Sequence, residues 1–271
     1  MANPAFSNSP AFSAVAAQKL AARQNGVPPV PTPGQLQEHY GLPDATPDQM
    51  ERMTYQDTIF KTLAGFAVLL VGAAIGWVFP VLAIVGLIAG LVLALVNIFK
   101  KKPSPGLILA YAFAEGLLVG GVSMFFSQMW DGIVPMALLG TLGVVGVTLA
   151  LFANGKVRVS KRATQIFLVA IVGYAAFSLI NVVLMMTGVV DSFGGMRDFE
   201  ILGIPLGIPL GILVVLLAAY SLVMDFDYIQ QGVRTGQPRI YGWTAAFGII
   251  VTVVWLYLEI LRLLSYFLPR N

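Results

Sequence analysis

The chain reads as an all-α polytopic membrane protein of seven spanning helices, and three observations carry that reading. Of its 271 residues, 58% are hydrophobic and 11% charged, with a mean hydropathy of +0.83, whereas a soluble domain carries ~25% charged residues. Several apolar runs reach the ~20 residues that cross a ~30 Å hydrocarbon slab at ~1.5 Å per residue. The loops between them alternate between rich and poor in Lys and Arg, as cytoplasmic and external loops do.

Composition also excludes classes. The formal net charge of +3 comes without a dense basic run, so no nucleic-acid surface is expected. Cysteine is absent and the one histidine is His39, which removes disulfides, thiolate metal sites and His-based catalysis in the membrane. There is no phosphate-binding Gly-Lys-Ser/Thr loop, HExxH or GxSxG motif. No enzyme and no cofactor is expected.

Residues 1–52 are rich in Ala, Pro, Gln, Asn and Ser, with a polyproline-like stretch from Gly26 to Gln35. This segment is expected to be a mostly disordered cytoplasmic tail, and no leader is expected before the first long apolar run near Ile59. Thr46-Pro47-Asp48-Gln49 has a cap residue followed by Pro, the mark of a short interfacial helix near the tail's end. Thr54-Tyr55-Gln56-Asp57 repeats the cap before the first span.

Residues 53–271 are then the membrane domain. Its spans are expected at about 59–79, 81–99, 107–130, 133–152, 163–190, 204–224 and 241–267. Pro80 makes the first turn, Lys100-Lys101-Lys102 and Pro103-Ser104-Pro105-Gly106 the second, and Lys156, Arg158, Lys161 and Arg162 mark the fourth loop. The loop from Asp191 to Glu200 sets Arg197 against three acids, while Arg234 and Arg239 lie before the last span. That alternation places the N-terminus inside and the C-terminus outside. Gly72, Gly76, Gly86, Gly90, Gly116, Gly120 and Gly121 recur at spacings that allow close helix contact. GIPLGIPLG, with Pro205 and Pro209, predicts a broken or kinked sixth span.

Ionisable side chains within spans are costly and so point to function. They are Glu115, Asp225, Asp227, Glu259 and Arg262. Asp225 and Asp227 point to nearly opposite sides of a helix, so at most one faces a given partner. Glu259 lies 16 residues beyond Trp243, or roughly 24 Å along a straight helix, in the outer half and away from those acids. Arg262 is one turn on and suits an i,i+3 pair with Glu259. Carboxylates brought close would share a proton and separate when both ionise, a physical route to a pH-gated pore.

MTYQDTIFKT, AYAFAEGLLVGG, MDFDYIQQGV and above all VTVVWLYLEILRLL resemble the Bax inhibitor-1-like membrane proteins, in particular a bacterial branch with a longer N-terminal tail. The likeness covers about 53–267. It implies a seven-helix fold with the last helix central, in a bacterial cytoplasmic membrane, and a proton-sensitive calcium leak. It also implies an acid pair between the sixth and last helices, which falls on Asp227 and Glu259; Asp225 and Glu115 are expected beside that pair as supporting acids from their own places in the spans. Glu259 stands where relatives commonly have Asp, and the stretch between the two acids is longer here. Some relatives carry an arginine on the second helix that competes for the sixth-helix acid; here only Lys100, Lys101 and Lys102 lie near such a place.

The function expected is therefore a pH-sensitive leak for Ca²⁺ or other cations. Asp227 and Glu259 would be its latch and a transient Ca²⁺ site, since hard cations prefer oxygen ligands. Its partners are the bilayer, Ca²⁺ and H⁺. Two alternatives stand beside it: a non-transporting membrane regulator of proteases or stress machinery, acting through membrane-protein partners, and a proton-coupled small-solute transporter.

Overall fold

The computed structural model describes residues 51–190, 192 and 194–270; the expected tail and its interfacial helix lie almost wholly outside them. Seven helices follow one another: α1 Tyr55–Val78, α2 Leu82–Phe99, α3 Pro105–Met129, α4 Ile133–Ala153, α5 Lys161–Met186, α6 Gly207–Arg234 and α7 Gly242–Leu264. Each of the seven spans is long and apolar enough to cross a membrane. The chain is a multi-pass membrane protein.

Local chemistry sets the boundaries. Thr54 caps α1, its Oγ1 accepting from Asp57 N at 3.2 Å, so the helix starts before the apolar run does. Ser160 caps α5 in the same way, accepting from Ala163 N at 3.2 Å. Pro105 opens α3, where its missing N–H costs no helix bond.

The sixth span differs from expectation at both ends. Pro205 belongs to a two-residue strand, β2 (Ile204–Pro205), which pairs antiparallel with β1 (Glu200–Ile201). The hairpin turn is Leu202-Gly203, both with positive φ of 57° and 79°, the backbone such tight hairpins require. Pro209 falls in the first turn of α6, where N–H groups have no intrahelical partner. The prolines thus open α6 and do not bend it. At its other end α6 continues past Met224 to Arg234, and the chain leaves it through Gly236, whose φ of +64° stops the helix.

α1 and α3 cross on glycine. A Cβ on Gly72 would lie 3.1 Å from the Gly116 Cα, and one on Gly116 would lie 2.9 Å from the Gly72 Cα. Only small residues let two backbones approach so closely. α2 lies chiefly on α3, and α7 packs against α1, α3, α4 and α6, so the last helix is central. Its buried side chains Leu256, Tyr257 and Leu261 join Trp130, Ile133 and Leu222 in the main core. α2 and α5 are the least enclosed spans; their exposed faces are apolar, as a lipid-facing helix requires.

The segment before α1 is strapped to the α6–α7 connection. Met53 N donates to Gln237 O at 2.7 Å and Arg239 N to Glu51 O at 2.6 Å. Met53 itself is buried against Ile229 and Ala245.

Candidate functional site

Thr252 and Glu259 are buried polar residues of α7, seven residues and so two turns apart, and each organises a cluster. At the first, Thr252 Oγ1 donates to Asp225 Oδ2 on α6 at 2.8 Å, and Ser221 Oγ lies 3.2 Å from Thr252 Oγ1. Gly248, one turn before Thr252, makes room: a Cβ there would lie 2.9 Å from Asp225 Oδ1. Among the described residues Asp225 has one hydroxyl partner, Thr252, and no ion pair.

The second cluster surrounds Glu259, which is buried. Arg262 Nη1 donates to Glu259 Oε1 at 2.8 Å, the i,i+3 pair that the spacing suggests. The Tyr174 hydroxyl, from α5, donates to the same oxygen. Arg197 Nη1 reaches Glu259 Oε2 at 3.4 Å, and its Nη2 donates to the Tyr174 hydroxyl at 2.5 Å. The Arg197 guanidinium also lies 5.3 Å from the centre of the Tyr174 ring.

Arg197 is held in place by a short 3₁₀ turn, Gly195–Asp198, between α5 and β1. Asn181 of α5 accepts from Met196 N at 2.6 Å and donates to Gly194 O at 3.3 Å. Asp198 accepts from Gly194 N at 2.8 Å and from the Tyr266 hydroxyl at 3.0 Å. Gly195 has φ +63°, and a Cβ there would run into the Asn181 amide. Burial alone would lower the Arg197 pKa, but Glu259 and Tyr174 beside it outweigh burial and raise it above the ordinary arginine value. It stays charged. Burial, then the Asp198 carboxylate, pushes the Tyr266 hydroxyl up to about 12.

These side chains form part of the wall of a cavity of about 960 Å³ bounded chiefly by α3, α5 and α7. It lies at the end of the bundle that holds the Pro80 turn, opposite the basic loops.

The acids expected to act together are placed apart. Asp227 accepts from Gln231 on its own helix, and Glu259 is held by Tyr174, Arg197 and Arg262. The pair implied by the resemblance is not formed: α6 and α7 are an antiparallel hairpin with a short connection, so the end of α6 faces the start of α7, and Glu259 lies toward the far end. Asp225 is the acid that meets the last helix. Glu115 sits between α2 and α3, its Oε1 3.0 Å from where a Gly90 Cβ would be, with Tyr111 one turn before it. Lys100, Lys101 and Lys102 are exposed and form no ion pair among the described residues. Among the described residues no three His, Asp or Glu side chains gather to hold a metal ion.

Sequence reasoning missed Tyr174 and Arg197. Tyr174, Ser178 and Asn181 follow at four- and three-residue spacing in an otherwise apolar span, a polar stripe on one helix face that could have pointed inward. It also missed Asp57, which binds Lys61 and, at 2.8 Å, Arg239, tying α1 to the turn before α7.

No curated protein matches the chain. A family profile described as Bax inhibitor 1 like matches residues 3–268, nearly the whole sequence. The chain belongs to the Bax inhibitor 1 like family.

Proposed function

We propose that the chain is a pH-sensitive cation leak of a bacterial cytoplasmic membrane, with calcium as its leading cargo and carboxylates of α6 and α7 controlling passage. The observation that supports it most is Asp225. A carboxylate inside a spanning helix, with the Thr252 hydroxyl for a partner and no cation paired to it among the described residues, has either a proton or a metal ion as its natural complement. Thr252 and Ser221 add hydroxyl oxygens beside it. In this reading Asp225 takes the place that the resemblance gave to Asp227.

Glu259 plays a different part. Two guanidiniums and a phenol cover its charge, so it closes its end of the bundle and offers no free ligand. Protonating it would remove the anion that holds Arg197, and with it the tie between the 3₁₀ turn and α7.

Calcium-dye flux into sealed liposomes tests this across about pH 6 to 8, a range reached by raised carboxyl pKa values. The expected result is flux in the wild type, loss of flux in Asp225→Asn and an altered pH profile in Glu259→Gln. Unchanged profiles in both variants would sink the carboxylate assignment. No flux above protein-free liposomes, with the protein folded, would transfer the function to a non-transporting regulator.

A further inference from the structure

We infer that the cavity between α3, α5 and α7 is a binding site for an anionic phospholipid. Its phosphate would sit by Arg262 and Arg270 with Arg197 behind them, and an acyl chain would lie along the apolar wall. This site is independent of the cation-leak reading.

The cavity exists because α5 stands off from the bundle. α5 packs on α6 and on the 3₁₀ turn. It is held near one end by Thr164, 3.0 Å from the Tyr220 hydroxyl, and near the other by Asn181. Around the Asn181 end the gap toward α3 and α7 is lined by Val122, Phe125, Val182, Met185, Trp255 and Leu258. An apolar gap between spanning helices can admit a lipid chain, and its volume of about 960 Å³ lies in the ~300–1,000 Å³ range of ligand pockets.

One end of this apolar gap is cationic. The described charged residues that line it are Arg197, Arg262 and Arg270 against Glu259 and Asp198, a surplus of one positive charge (three minus two). Glu259 alone occupies two of the guanidiniums. Arg262 keeps its side chain 40% exposed, and Arg270 lies with its guanidinium carbon 5.9 Å from the centre of the Trp130 ring. Guanidinium forks suit phosphate oxygens better than any other side chain does. Ser178 Oγ, in the same wall, is buried with no hydrogen-bond partner among the described residues, a donor left for a ligand oxygen. A cationic end, an unpaired hydroxyl and an aromatic-aliphatic channel at membrane depth match a phospholipid. A free anion would leave the apolar length unfilled.

The test is native mass spectrometry of the purified full chain in neutral detergent, with phosphatidylglycerol and phosphatidylcholine of identical acyl chains. The wild type is expected to retain phosphatidylglycerol about tenfold more tightly, a difference of about 1.4 kcal/mol. Arg262→Gln and Arg270→Gln should bring the two lipids to parity. Arg270 is exposed and beyond the last helix, so its variant decides the matter even if Arg262→Gln does not fold. Equal retention of both lipids by the wild type, or a preference that survives in Arg270→Gln, overturns the proposal. Competition by glycerol phosphate as strong as by the lipid would assign the arginines to a free phosphate and overturn it too.

Discussion

Arg197 and Glu259 are 62 residues apart in sequence and meet at 3.4 Å, both almost wholly buried, at 4% and 3% exposure. The pair joins the α5–α6 connection to the central helix. Its two halves are not equivalent, because Glu259 has a second guanidinium in Arg262 and Arg197 has no second carboxylate among its bonded partners.

Glu259→Gln therefore strands a buried guanidinium and should cost about 3–5 kcal/mol. Arg197→Met leaves Glu259 with Arg262 and should cost less. The double variant should recover part of the loss. Chemical denaturation of the three proteins in detergent checks the order; equal costs for the two single variants would contradict it.

Asp57→Asn removes the ion pair between α1 and the Arg239 guanidinium and leaves the Lys61 ammonium, at 11% side-chain exposure, with the Arg239 carbonyl. The expected cost is about 1–3 kcal/mol. Hydrogen exchange should accelerate first at the amides of Met53 and Arg239, which bond across the strap, and much less in α4.

The α1–α3 crossing makes a steric prediction. Gly116→Val places methyl groups where the α1 backbone runs and should cost about 1–3 kcal/mol or more. Gly143→Val on α4, where nothing lies within 4 Å of an added Cβ, should be close to neutral. Thermal unfolding of both variants separates close packing from mere loss of glycine.

The raised Tyr266 hydroxyl bears on alkaline stability. A phenol whose pKa rises to about 12 on folding, against an ordinary value of about 10, binds its proton more tightly in the folded protein. Its contribution is intact below about pH 10 and is lost as pH rises toward about 12. Tyr266→Phe should flatten the fall in melting temperature over that window. At neutral pH it should forgo only the bond to Asp198, about 0.5–1.5 kcal/mol.

The architecture was legible because bilayer physics writes it into long stretches of sequence. Seven apolar runs, the breaker ending in Pro105-Gly106 and the cap at Thr54 place the helices within a few residues. α6 was the exception, since an apolar run marks where lipid ends and not where hydrogen bonding stops. Distances along α7 already placed Glu259 away from Asp225 and Asp227, and the structure keeps them apart. What could not be read was which loop charge goes inward. Arg197 looks like any other loop arginine until Asn181 and Asp198 fold the turn that delivers it to Tyr174 and Glu259.

The strap at Met53 has a mechanical consequence. Two backbone hydrogen bonds and one buried methionine tie the residues just before α1 to the hinge from which the central helix starts. Tension on the chain upstream of Glu51 is therefore delivered to Gln237 and Arg239 before it can unwind α1. A protein that grips the tail has a lever on α7.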